Sequence, residues 1–516
     1  MRRQDIQLLA LARQGDTAAR CEVGRRYLLG SDGFTRHVAT GIDYLTHASV
    51  RDLPATALII AEGLPLQDML AFQQEGALAR AAASGSPHAQ VKLAAWLATQ
   101  RGELTGDAGG HLAASAAQGN TMARDAVAGL AQGAHDALPS LLRALTAVGA
   151  LDAQAVTMTA AQRAAAGPDT ALFAKCVATA LTVSDGPNPE LAELICRVVQ
   201  RAEHEGSTRI GIGAQFVSAA LESRASQGDR HAAYALGRSL CGINAGALEP
   251  AQFGAELNMR KGAAFLLRAA DAGCEDAWMH LYRVHSDHRL SVANAQMARF
   301  FLEKAATCGL AEAQLKLGAL MLREAGSLGE TEHAIHWLHE ASVKGQHLAD
   351  ELLESLVLPV EEGDQDASAA IEQIRHTDPW LAERLQLARD FGLTKLEALT
   401  VDPAEGLRHW GLVVGKNPFI TQVRLSAPRA IPATSEAAMS VARRAAQFFG
   451  QTRRDTGALE GDLRSRSLRQ RRAFERHGLR ESMFFANATS MILESLRFGP
   501  KWAFRARRPL RLALAA

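Results

Sequence analysis

One ten-residue pattern recurs along this 516-residue chain and constrains its fold more than any other feature. The pattern is Gly-x3-Ala-x3-Leu-Gly, and its clearest copy runs from Gly309 to Gly318. Further copies begin at Gly15, Gly85, Gly119, Gly228, Gly273 and Gly345, with a fainter one at Arg51. The steps are 36 residues (15 to 51), 34 (51 to 85), 34 (85 to 119), 45 (228 to 273), 36 (273 to 309) and 36 (309 to 345). A fixed period of roughly 20 to 50 residues indicates a solenoid of repeated units.

The residue types in the pattern predict a pair of helices in each unit. Ala, Leu and the last small residue recur at offsets that share one helical face, so a second helix can approach closely. The leading Gly suits the left-handed position that ends a helix. Upstream of several of these glycines stands a bulky residue followed by Leu and Ala, as in Phe265-Leu266-x-x-Ala269, Phe301-Leu302-x-x-Ala305 and Trp337-Leu338-x-x-Ala341. Each unit is therefore predicted to be a helix hairpin that buries its apolar face only against neighbouring units.

The repeat residues resemble a known family. Residues 268–277, 303–318 and 337–345 look like Sel1-like repeats, which are relatives of tetratricopeptide repeats. The resemblance covers about residues 10–125 and 225–357 and is poor over 130–225. It implies a right-handed superhelix of antiparallel helix pairs, and an adaptor that holds partner proteins, often in bacterial signalling, secretion or envelope assembly.

The predicted fold class is all-α, an α-solenoid followed by a helical C-terminal region. We expect Sel1-like repeats over 1–130 and 226–358, and degenerate helical repeats over 131–225. The alternative for the middle stretch is a break between two solenoid blocks. Pro359 and the acidic run after it mark a boundary, and a helical region with a basic tail is expected over 375–516.

The cysteines and the apolar segments of the sequence indicate in which cellular compartment the protein is expected. The six cysteines form no CxxC pair, which favours reduced thiols. The N-terminal residues lack the apolar core of a signal peptide, and no apolar run reaches the length of a membrane span. We therefore expect a cytoplasmic protein, with peripheral attachment to a membrane as the alternative.

Charge is distributed unevenly along a chain whose formal net charge is only +1. Residues 429–516 hold 17 Arg and one Lys against seven acids, a balance of 18 − 7 = +11, so the rest carries 1 − 11 = −10. Such asymmetry indicates either an anionic external partner or docking of one part of the molecule on another.

The arginines of this tail are the predicted binding residues for an anionic partner. Arg469, Arg472 and Arg476 follow one helical face. The full set is Arg464, Arg466, Arg469, Arg472, Arg476, Arg505, Arg507 and Arg508. The alternatives are a solvated helix face that pairs with acidic residues of the solenoid and, for the last segment, a helix that caps the solenoid.

Catalytic and metal sites are not predicted, and no cofactor is expected. His333, His336 and His339 lie on one helix but fan over about 120°, so we expect them on a polar face that looks toward solvent or the groove. Enzymatic activity is left open for 375–516, where a pocket with converging Asp402, Glu405 or His409 would favour it.

The sequence therefore favours a non-enzymatic scaffold that binds a protein partner on the concave surface of the solenoid, without a small-molecule substrate. The first alternative is a scaffold whose arginine-rich tail attaches it to an anionic membrane surface or a nucleic acid. The second is an enzyme with a catalytic C-terminal domain.

Overall fold

The computed structural model describes residues 3–132, 136–184, 186, 188–361, 363–415, 428–455, 460–496 and 506–515. Its chain forms two compact units, Met1–Ala277 and Trp278–Ala516. The described residues are mainly helical, which confirms the predicted fold class. None of their helices is both long and apolar enough to cross a membrane.

The helices of the first unit follow one another with short connections. They are α1 (Arg3–Gln14), α2 (Thr17–Leu29), α3 (Val38–Leu45), α4 (Pro54–Gly63), α5 (Leu66–Ala71), α6 (Glu75–Ala83), α7 (Pro87–Arg101), α8 (Asp107–Ala117), α9 (Thr121–Ala131), α10 (Ala137–Ala147), α11 (Ala153–Ala166), α12 (Thr170–Val183), α13 (Pro189–His204), α14 (Ala214–Ser226), α15 (Arg230–Leu240) and α16 (Met259–Asp271). A short 3-10 helix, Pro250–Phe253, lies in the 45-residue repeat.

The second unit adds a small antiparallel sheet to its helices. The helices are α17 (Asp276–Ser286, which contains the boundary), α18 (Ala295–Thr307), α19 (Ala311–Glu324), α20 (Leu328–Val343), α21 (His347–Glu354), α22 (Asp364–Thr377), α23 (Pro379–Asp390), α24 (Lys395–Thr400), α25 (Pro403–Gly406), α26 (Glu436–Asp455), α27 (Leu463–His477), α28 (Ser490–Ser495) and α29 (Arg507–Ala515). The strands β1 (Leu407–Arg408), β2 (Gly411–Val414) and β3 (Arg429–Pro432) pair in that order, with Leu412 opposite Ile431. A second 3-10 helix is Glu481–Met483.

The repeat pattern forms helix hairpins as predicted. Each leading glycine has a positive φ, from +84° at Gly345 to +100° at Gly15. The small residue at the end of the pattern is where the second helix approaches: a Cβ on Gly318 would lie 2.8 Å from Leu338 Cγ, and one on Gly237 would lie 2.9 Å from Leu266 Cγ. Helix α19 thus packs on α20, and α15 on α16.

A polar bond that the sequence analysis did not anticipate joins successive helices at one repeat position. The residue after the pattern's Ala donates a side-chain hydrogen bond to the carbonyl eight residues earlier, near the end of the preceding helix. The bonds are Arg20 to Ala12 O (2.9 Å), Gln90 to Ala82 O (3.3 Å), Arg124 to Ala116 O (3.2 Å) and Gln314 to Ala306 O (3.2 Å). The same carbonyls also accept from the backbone N–H of the leading glycines Gly15, Gly85, Gly119 and Gly309, so each side chain adds a second hydrogen bond at a helix end.

The stretch 131–225 is helical in its described residues, but it does more than stack on its neighbour in sequence. Helix α11 packs against α5 and α7, and Arg163 bridges to Glu75 at 2.6 Å. The Cys176 thiol donates to Gln100 O at 3.4 Å. Helix α7 explains this packing, because it is buried on nearly every side and needs cover beyond its hairpin partner α8.

Candidate functional site

Helix α27 carries most of the predicted arginine site, and local sequence fixes its position. Asp462 caps its first turn by accepting from Ser465 N at 2.9 Å, and Gly478 ends it with a φ of +64°. Phe474 is buried and stacks against Phe485 at 6.0 Å between ring centroids. The side of α27 that contains Phe474 is therefore packed against the rest of the protein, and the opposite side is exposed to solvent.

Two of the predicted arginines contact neighbouring residues of the protein itself. Arg466 donates to Leu399 O at 2.9 Å and lies 3.2 Å from the Glu460 carboxylate. Arg469 donates to Glu460 O at 2.7 Å and approaches Asp378 at 3.6 Å. Burial, followed by repulsion from Arg384, lowers the pKa of Arg466. These pairs resemble the predicted docking of basic on acidic residues, but the acids belong to the C-terminal region and not to the solenoid.

Glu460 is the centre of this ion-pair network. Its two carboxylate oxygens accept from Arg384 Nε and Nη2, both at 2.6 Å, and both side chains are almost fully buried. Arg384 also lies 4.8 Å from the centroid of the Phe449 ring. A bidentate pair with these surroundings orients α23 against α27. Nothing in the sequence marked Glu460 as a centre, because its bidentate partner Arg384 lies 76 residues away.

Five of the other predicted arginines face solvent. Arg464, Arg472 and Arg476 are exposed along one side of α27, next to the exposed Leu468. Arg507 and Arg508 are exposed at the start of α29, and Arg505 lies outside the described residues. The structure therefore separates the predicted set into an outward group and the inward pair Arg466 and Arg469.

Helix α29 packs against α19 and α21. Each of these is the first helix of its repeat, which is the helix that carries the Gly-x3-Ala-x3-Leu-Gly pattern. Leu510 and Ala513 are buried in one apolar cluster with Leu315, Ala319 and Leu352. The apolar side of α29 is thus used inside the protein while Arg507, Arg508 and Arg511 face outward.

A cleft of about 500 Å³ opens where successive repeats of the first unit meet. Its walls include Glu62 from α4, His88 and Lys92 from α7, and Met122 from α9, and Val148 stands 62% exposed at its edge. Lys92 Nζ donates to Ala61 O at 2.8 Å and Leu64 O at 2.9 Å, and burial lowers its pKa to about 8.

A third group of side chains meets in the second unit. His336 Nδ1 lies 2.8 Å from His409 Nε2, and the possible ligand atoms of these two residues and Glu340 all lie within 4.8 Å of one another. His339 is adjacent, with its ring centroid 6.0 Å from that of His409. Burial, together with the nearby His409, lowers the pKa of His336 and of His339. Sequence reasoning identified the histidines of α20 but not their meeting with His409, 73 residues away.

The residues named for a catalytic C-terminal domain have other contacts. Asp402 caps α25 by accepting from Ala404 N at 3.0 Å. His409 contacts His336, and the Glu405 backbone carbonyl accepts from Arg408 at 3.1 Å.

Comparisons with known proteins add two helical-repeat structures. No protein-family model matches the chain, and no characterised protein matches it in sequence. The chain is similar to the crystal structure of a Sel1 repeat protein from Oxalobacter formigenes, with 20% identity over 68% of this chain and 89% of that one and a TM-score of 0.28. It is also similar to a protective antigen of uropathogenic Escherichia coli strains that displays an SLR fold, with 17% identity, coverage of 94% and 98%, and a TM-score of 0.25.

Proposed function

We propose that this protein is a non-enzymatic scaffold that binds a helical segment of a partner protein on the face formed by the first helices of its repeats. The observation that carries the proposal is that this face already holds helices from elsewhere in the same unit. Helix α29 packs on α19 and α21, and α11 and α12 pack on α7.

The chemistry of these contacts supports a helix as the partner element. Leu510 and Ala513 of α29 lie among Leu315 and Ala319 of α19, where small side chains allow close approach. An amphipathic helix in an apolar groove is a recurrent way of binding a partner segment. The partner is therefore proposed to present an apolar stripe at helical spacing with polar residues beside it.

The cleft between α4, α7 and α9 is the proposed contact point of the first unit. Its wall combines the apolar Met122 and Val148 with the polar Glu62 and His88. This mixture suits the boundary between the apolar stripe and the polar side of a bound helix.

Site-specific crosslinking tests the proposal. A photo-crosslinking amino acid at Val148 is expected to capture a defined partner in cells of the source organism. The matched control is the same amino acid at Leu257, which is 68% exposed and does not line the cleft. Equal capture at both positions, or no capture at Val148, would contradict the proposal.

A quantitative test uses the captured partner in purified form. Met122→Arg places a charge in the cleft and is expected to weaken binding about tenfold or more, whereas Leu257→Arg leaves it unchanged. Unaltered affinity in Met122→Arg, with the fold intact by circular dichroism, would also contradict the proposal.

A second candidate function is attachment to an anionic membrane surface or nucleic acid. It is favoured by the three outward arginines of α27, Arg464, Arg472 and Arg476, whose charges are arranged along one side of that helix. Sedimentation with anionic vesicles or duplex DNA that weakens as salt rises would support it, and sedimentation insensitive to salt would count against it.

A further inference from the structure

Two elements of the second unit bring together side chains of the types that bind transition metals. His336 and Glu340 lie one turn apart on α20, so both project from the same side of the helix. His409 lies in the two-residue turn between β1 and β2. Imidazole nitrogen and carboxylate oxygen are common ligands of Zn²⁺.

The positions of these ligands are supported by the residues around them. Trp410, next to His409, is only 2% exposed and packs in the same apolar cluster as Leu338 of α20. Arg408, on the other side of His409, pairs with Glu332 of α20 at 2.8 Å. The β1–β2 turn is thus anchored to α20 by the residues on both sides of His409. The position of His409 beside His336 therefore does not depend on one flexible side chain.

The geometry is close to what a metal ion requires. The His336 Nδ1 to His409 Nε2 distance is 2.8 Å. Two nitrogens each about 2.0–2.1 Å from a tetrahedral Zn²⁺ lie about 3.3 Å apart, so a shift of about half an ångström would admit the ion. The hydrogen between the two rings would move to another ring nitrogen by a tautomeric change.

We propose that His336, Glu340 and His409 form a binding site for one divalent transition-metal ion, with Zn²⁺ as the ion to test. His336 binds through Nδ1, His409 through Nε2 and Glu340 through a carboxylate oxygen. Nitrogen ligands favour Zn²⁺ over Mg²⁺ and Ca²⁺, which prefer oxygen. The three protein ligands leave a coordination position for water or a side chain of a bound partner.

Calorimetric titration of the full chain with ZnCl₂ tests the site. The protein is used without an affinity tag, after treatment with chelator, and with Cys308→Ser because the Cys308 thiol is exposed. We expect one ion per chain, with His409→Ala and Glu340→Gln each weakening the affinity about tenfold or more. His333→Ala is the matched control, since His333 is exposed on the same helix and is expected to leave the affinity unchanged.

A second measurement keeps the proposal testable if a variant is unstable. In the unsubstituted chain, Zn²⁺ should slow amide hydrogen exchange in the hairpin 407–414, because the ion would join the turn to α20. Mg²⁺ at the same concentration should not. No binding at micromolar Zn²⁺, equal affinity in His409→Ala, or unchanged exchange in the hairpin would overturn the proposal.

Discussion

At the scale of single residues, the contact between α19 and α20 depends on a position that has no side chain, Gly318. A Cβ on Gly318 would lie 2.8 Å from Leu338 Cγ and 3.0 Å from Ala334 O, a backbone atom that cannot move alone. We expect Gly318→Ala to lower the free energy of unfolding by about 1–3 kcal/mol, because the two helices must separate to admit the methyl group. Urea unfolding of both proteins measures the difference.

The matched control for this prediction is Gly329→Ala. Gly329 lies in α20, and a Cβ there would meet no atom within 4 Å. Alanine has the better helix propensity, so the control should gain about 0.5–1 kcal/mol. Equal unfolding midpoints for Gly318→Ala and Gly329→Ala would show that the contact between α19 and α20 does not need glycine.

Another residue-scale prediction concerns the buried pair Arg429 and Glu397. The Arg429 side chain is 1% exposed and approaches Glu397 at 2.9 Å. Burial has the largest single influence on the Glu397 carboxyl and raises its pKa, but Arg429 and the hydrogen bonds of Thr394 together hold the pKa below 4.5. Glu397→Gln should cost about 3–5 kcal/mol at pH 7, because it leaves the guanidinium buried without its counter-charge.

The dependence of this effect on pH has a definite sign. A carboxyl whose pKa is lowered by folding stabilises the folded state above its unfolded pKa, and the contribution is lost as pH falls through the folded value. The cost of Glu397→Gln should therefore be largest above about pH 4.5 and shrink in stronger acid. Glu436→Gln, whose carboxylate is 80% exposed beside Arg443, is the control and should change stability by less than about 1 kcal/mol at either pH.

At the scale of elements, α29 offers a comparison within one helix. Leu510 is 6% exposed and packs in an apolar cluster with residues of α19 and α21, whereas Leu512 is 43% exposed. Leu510→Ala should weaken the docking of α29 by about 2–4 kcal/mol. Hydrogen exchange in 507–515 should then quicken, and Leu512→Ala should leave the rate nearly unchanged. Equal rates in the two variants would mean that Leu510 does not hold the helix.

Elements also show how far the sequence could predict this fold. The spacing of Gly309, Ala313 and Gly318 predicted the hairpins because a helical face is a local property, and the structure confirms them. The packing of α11 on α7 could not be read in this way, since it depends on surfaces distant in sequence. The meetings of Glu460 with Arg384 and of His409 with His336 are hidden for the same reason, at separations of 76 and 73 residues.

At the scale of the whole molecule, the positive charge of 429–516 does not all serve one purpose. Arg429, Arg466 and Arg469 pair with acids of the C-terminal region. A chain ending at residue 428 would lose these pairs together with β3. It would also lose Ile431 and Phe474 and so expose the rest of their apolar cluster, which includes Leu385 and Leu412. Truncation there would therefore confuse loss of binding with loss of folding, and charge reversal at the exposed positions separates the two.

The corresponding prediction concerns binding to an anionic polymer. Changing Arg464, Arg472 and Arg476 to Glu should reduce affinity for duplex DNA or anionic vesicles, and should lower the slope of log affinity against log salt for DNA by about 2–3, because each phosphate contact releases counterions. The control reverses three other exposed arginines, Arg209, Arg260 and Arg289, and keeps the same net charge. If both triple variants lose affinity equally, net charge and not the arrangement on α27 drives the interaction. If neither does, the outward arginines have no part in binding anions, and the scaffold would rely on its helix-binding face alone.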